Sequence, residues 1–129
     1  MKTTAQSIEK IIDDALKKLE GLWDKWQLMP SPENCRNIAG PKNSGVYQIR
    51  NKNTRELILF GIGEECQKRM KSLFPAPYGT GTRNNEYKRK YILEHWENLE
   101  FRTMETDGIE TTKSVEHLLI ARINHLFNT

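Results

Sequence analysis

The spacing of apolar residues shifts from a helical period to a strand period between the first helix and residue 46, and that shift limits the fold more than any other feature. Ile8, Ile11, Ile12, Ala15, Leu19, Leu22, Trp23 and Trp26 recur at three- and four-residue steps with charges between them. That is the pattern of one amphipathic helix running from Thr3 or Thr4 to about Leu28. Pro30 and Pro32 stop it, and residues 29–44, rich in Pro, Asn, Ser and Gly, read as a surface connection. Val46–Arg50 and Glu56–Phe60 then read as two strands of a hairpin turning at Asn51–Thr54. Glu64–Phe74 is predicted as a helix with Cys66, Met70, Leu73 and Phe74 inward. A basic helix is predicted from Asn84 or Asn85 to about His95, a third strand over Leu99–Met104, and a last helix from Thr111 or Thr112 to Leu126. The expected fold is α+β: a small antiparallel three-stranded sheet flanked by helices, with an extra N-terminal helix. Residues 1–42 form that helix and its connection, and 43–129 the body of what is expected to be one domain.

A chain of 129 residues is long enough for one core without staples. Cys35 and Cys66 are too few and too isolated for a disulfide framework or a zinc site, so Cys66 reads as a small core residue of a helix and Cys35 as a loop residue. The start of the chain runs into a charged amphipathic stretch, and no apolar run approaches the ~20 residues of a membrane span. A cytoplasmic protein with no membrane partner is the expectation. The net charge of +3 is mild, but its distribution is uneven. Residues 35–63 and 64–91 each carry +4, whereas 94–110 carry −5. A basic block between acidic flanks suits a polyanion and equally suits a set of solvated faces.

The segment from Gly45 onward narrows the function. Gly45-Val46-Tyr47 opens one strand, Leu59-Phe60-Gly61 closes the next, Arg69 follows Gly61 by eight residues, and Glu116 precedes Asn128 by twelve. In this order and spacing the chain resembles the GIY-YIG nuclease domain over about residues 43–128. Leu59 stands where the family carries its second tyrosine, Leu73 where a His or Tyr is frequent, and Ile62 where a Lys sometimes occurs. The resemblance implies a metal-dependent endonuclease hydrolysing phosphodiester bonds, with DNA as partner and RNA left open. It implies Tyr47, Arg69, Glu116 and Asn128 as catalytic residues. Arg69 would meet the phosphate charge through a two-pronged donor. Glu116, at the head of an apolar stripe that includes Leu119, Ile120, Ile123 and Phe127, would hold Mg²⁺ or Mn²⁺. Tyr47 would act on the attacking water as general base or by orienting it, and Asn128 would position.

The run Tyr78–Tyr91 interleaves glycines, amides, bases and tyrosines. Arg83, Asn84, Asn85, Tyr87, Lys88 and Arg89 are its candidate nucleic-acid contacts, through backbone phosphates and base stacking. Two other classes of function stay open. One is a relative of the same fold that binds nucleic acid without cutting it, which Leu59 and Leu73 favour. The other is an interaction module whose first helix docks on a partner or a second copy, with Trp23 and Trp26 as exposed anchors.

Overall fold

A computed structural model describes residues 5–74, 78–79 and 86–127. The first helix, α1, covers Ala5–Glu20 and ends well before Leu28. Gly21 and Leu22 close its last turn by donating to Lys18 and Leu19 carbonyls, and Asp24 N–H then bonds Thr103 O at 2.8 Å. The helical spacing of Trp23 and Trp26 therefore reflects packing onto the sheet. Beyond them, Gln27–Leu28 (β1) pairs with Phe101 and Glu100.

This pairing corrects the expected three-stranded sheet to four antiparallel strands. They are β1, β2 (Gly45–Asn51), β3 (Leu57–Gly63) and β4 (Leu99–Glu105), in the order β1-β4-β2-β3. A two-residue exposed strand has no alternation to read, which is why the sequence hides it. The β2–β3 turn is built by Asn51, whose side-chain oxygen accepts the N–H of Asn53 and Thr54, as Asx turns do. It leaves Arg55 at φ 65°.

Central β2 is buried from Gly45 to Ile49 because helices cover both faces of the sheet. On one side Tyr47, Ile49 and Leu59 pack with Cys66, Met70 and Phe74, and with Ile92. These come from α2 (Cys66–Lys71) and the turn after it, and from α3, described over Glu86–His95. On the other side Val46, Phe60 and Met104 pack with Leu19 of α1 and with Val115 and Leu119 of α4 (Ile109–Arg122). Gly108, at φ 96°, turns the chain into α4.

That helix stops at Arg122 rather than Leu126. Leu126 and Phe127 instead donate their N–H groups to the carbonyls of Leu57 and Ile58 on the open edge of β3, at 3.0 and 2.8 Å. An unpaired sheet edge rewards such donors. The expected apolar stripe of α4 is correspondingly shorter: Thr112, Val115 and Leu119 are buried, Ile120 is exposed, and Phe127 leaves for the α3 side. Among the described residues no helix is long and apolar enough to cross a membrane.

Candidate active site

Two glycines of β3 create the site. Gly61 and Gly63 lie two apart on a strand and share one face. Tyr47 stands opposite Gly61 in the β2–β3 ladder, and a Cβ on Gly61 would collide with the Tyr47 ring and hydroxyl. A Cβ on Gly63 would come within 3.2 Å of Arg69 Cβ. The phenol ring thus lies across one glycine and the arginine stem across the next. The loop before β2 fixes this placement: Cys66 and Gln67 N–H groups bond Asn43 O and Pro41 O, and Gln67 Nε2 bonds Ile38 O. Donors at a helix start are thereby satisfied, and α2 is held with Arg69 exposed on its outer side.

Tyr47 is only 5% exposed. Burial pushes its phenol up to about 12, and the opposing pull of the Arg69 charge is too small to offset this. The group stays protonated throughout the neutral range, so it can orient or donate but is a poor base. Burial of the neutral phenol favours the orienting role over the general-base role for Tyr47.

Lys88 of α3 comes within electrostatic reach of Arg69; burial and the Arg69 charge both lower its pKa. Arg89 departs from the expected row of exposed contacts. It is 8% exposed and donates from Nη1 to Ser72 O at 3.3 Å, tying α3 to the end of α2. Tyr87 is exposed, while Arg83, Asn84, Asn85 and Asn128 lie outside the described residues. Leu59 and Leu73 are both buried in the apolar cluster, so core packing occupies the position of the second phenol.

Glu116 is half-buried on α4, beside Val115 and near Leu119, on the helix that covers the opposite face of the sheet from Tyr47. Among the described residues no hydrogen bond or ion pair joins it to Tyr47 or Arg69, and no group of three His, Cys, Asp or Glu side chains converges. Glu116 thus stands without an ion-pair or metal-ligand partner among the described residues, and a Mg²⁺-like ion there would have to take its remaining ligands from water and phosphate.

Sequence reasoning missed the polar chain on that opposite face. Arg102 donates from Nε to Gln48 Oε1 at 2.8 Å, and from Nη1 and Nη2 to the Glu20 carboxylate at 2.8 and 3.2 Å. Its guanidinium lies 4.5 Å from the ring centroids of both Trp23 and Trp26, and Arg50, paired with Glu100, covers Trp26 at 3.9 Å. The tryptophans are therefore half-buried clamps on cations, which corrects their reading as exposed anchors. Gln48 Nε2 lies 3.0 Å from His125 Nε2. With the Gln48 oxygen taken by Arg102, its NH₂ must face the imidazole, so Nε2 accepts and the proton sits on Nδ1. Nδ1 is buried with no well-formed hydrogen bond among the described residues, and burial lowers the imidazole pKa against a smaller opposing pull from the Ile123 backbone. A legible signal existed: Gln48, Arg50, Glu100 and Arg102 are polar residues inside otherwise apolar strands.

No family model, no curated protein and no solved structure matches this chain.

Proposed function

We propose that the chain is a GIY-YIG-type endonuclease that hydrolyses phosphodiester bonds in DNA with a divalent cation, Mg²⁺ or Mn²⁺. One observation carries the reading: the Tyr47 ring lies across Gly61 with the Arg69 stem across Gly63, which explains why both strand positions are glycine. Arg69, fixed and always charged, would meet the non-bridging phosphate oxygens and the charge that grows on them. Tyr47, kept neutral, would hold the attacking water or a phosphate oxygen by hydrogen bonding. Lys88 would add positive charge beside Arg69. Glu116 is the carboxylate that would hold the cation, which when bound supplies Lewis-acid polarisation of the phosphate and a more acidic water.

A second reading, binding without cutting, is favoured by the position of α4 over the face opposite Tyr47 and by the burial of Leu59. One experiment separates the two. Purified protein is incubated with supercoiled plasmid DNA and with a labelled RNA, in Mg²⁺, in Mn²⁺ and in EDTA. Cation-dependent nicking lost in Glu116→Gln supports the nuclease. Binding that weakens steeply between roughly 50 and 200 mM salt, with no cleavage under any condition, supports the binding remnant and ends the nuclease reading.

A further inference from the structure

Next to Arg69, α3 and the C-terminal tail form a ledge of aromatic rings. Tyr87 is 56% exposed, yet it is not loosely held. Its ring contacts Phe127 at 5.5 Å between centroids. Phe127 meets Tyr91 edge-on at 5.3 Å, and its own N–H is bonded to Ile58 O. Tyr91 in turn lies 4.3 Å from His95. Each ring is braced by a neighbour, and Phe127 in their midst is fixed to the sheet edge. A tyrosine oriented before its ligand arrives loses little freedom on binding.

We propose that this ledge seats an unpaired base, so that the ligand of the site is a single-stranded or locally unpaired nucleic acid rather than an intact duplex. The proposal rests on the nuclease-type reading for its phosphate neighbour, Arg69. Every base has a π-face that can stack on an exposed ring, whereas a paired base inside a duplex has both faces covered by its neighbours. Charge sets the direction of the strand. Tyr87 stands between Glu86 and Lys88, with Lys90 one turn on, and the Arg89–Ser72 bond holds α3 against the end of α2 that carries Arg69. The far end of the ledge is acidic, with Glu56 close enough to act on Tyr91 and Glu94 beside His95. A phosphate chain is repelled there, so it runs from Tyr87 toward Arg69 and not along α3.

The test uses the full chain in EDTA, with fluorescence anisotropy of a labelled oligothymidylate and of a blunt duplex. Each is about 20 nucleotides per strand, enough to exceed a typical single-strand site. Tighter binding of the single strand is expected. Tyr87→Ala should weaken that binding roughly 5- to 150-fold, the equivalent of one lost base–aromatic stack, and change duplex binding less than about twofold. Tyr87→Phe, which keeps the ring, should restore single-strand affinity, and Tyr87→Leu should not. Equal affinity for the two ligands, or a Tyr87→Ala protein that binds the single strand as well as the wild type does, overturns the proposal. If the plasmid is still nicked in that case, the nuclease reading survives without the ledge. If neither ligand is bound and nothing is cut, both readings fall.

Discussion

The two faces of the sheet handle polarity in opposite ways. The face under α2 and α3 is largely apolar; Tyr47 and its cross-strand partner Thr103 are buried polar side chains there, and Tyr47 sits where Gly61 and Gly63 remove side chains from β3. The face under α1 and α4 carries a continuous buried chain, Glu20–Arg102–Gln48–His125, walled by Trp23 and Trp26. In that chain the donors and acceptors are nearly all committed to one another. Saturated groups hold elements together but have nothing left for a substrate. On the first face Arg69 is exposed and close enough for its charge to act on Tyr47, and among the described residues its guanidinium makes no hydrogen bond or ion pair. The candidate groups Tyr47 and Arg69 lie on the face with the gap, the candidate carboxylate Glu116 on the helix over the other, where the Arg102 chain attaches α1.

The sharpest way to break this contrast is to exchange the consequences of two arginine substitutions. Arg69→Ala should lower the rate of phosphodiester cleavage at least ~100-fold, the usual cost of a missing transition-state donor, while leaving the urea midpoint unmoved. Glu116→Gln should cost a comparable factor in rate. Arg102→Ala should do the reverse: about 2–4 kcal/mol of stability lost, from an orphaned Gln48 oxygen, a Trp23 stripped of its cation and a Trp26 left with Arg50 alone, with the rate per folded molecule retained. A stable but inactive Arg102→Ala would refute the division of labour.

The glycine floor gives a smaller effect. Gly61→Ala forces the Tyr47 ring aside and should cost about 1–3 kcal/mol, as overpacking does, with activity falling in step. Gly63→Ala meets only the flexible stem of Arg69 and should cost less in chemical denaturation. Similar losses at the two positions would mean that the ring is not seated where it lies here.

The smallest effect is in pH. His125 has a folded pKa below that of the unfolded chain, because burial disfavours its charge and because a protonated Nε2 would point a donor at the Gln48 NH₂. The unfolded state therefore takes up the proton first as pH falls. Stability from this group is complete above the unfolded value near ~6.5 and declines below it, by at most about 1.4 kcal/mol per pH unit for one proton. The urea midpoint measured between pH 5 and 7.5 should slope upward in the wild type and less so in His125→Leu. Parallel slopes would assign the pH dependence to other groups.

Much of the hairpin was legible because β2 and β3 are bounded by turn residues and apolar on both faces, and the Tyr47–Gly61–Arg69 spacing came from local sequence alone. The fourth strand was not, since Gln27 and Leu28 join the sheet only through backbone bonds to β4. The ends of α1 and α4 were misjudged for one reason: Trp23, Trp26 and Phe127 keep helical spacing while tertiary partners pull them out of the helix. Arg89 looked like a surface base because burial of a cation against a carbonyl such as Ser72 O leaves no periodic trace. The polar chain from Glu20 to His125 spans residues remote in sequence, which no window of residues can reveal.

The strand-edge bonds of Leu126 and Phe127 carry a consequence for solubility. β3 would otherwise present a bare row of carbonyls flanked by Leu57 and Ile58, a template on which a second molecule could add its own strand. The tail occupies those acceptors, and at the opposite margin β1 is only two residues long. The chain thus closes the tail-bound end of β3 itself, and loss of the tail contacts would leave the Leu57 and Ile58 carbonyls open to edge-to-edge pairing.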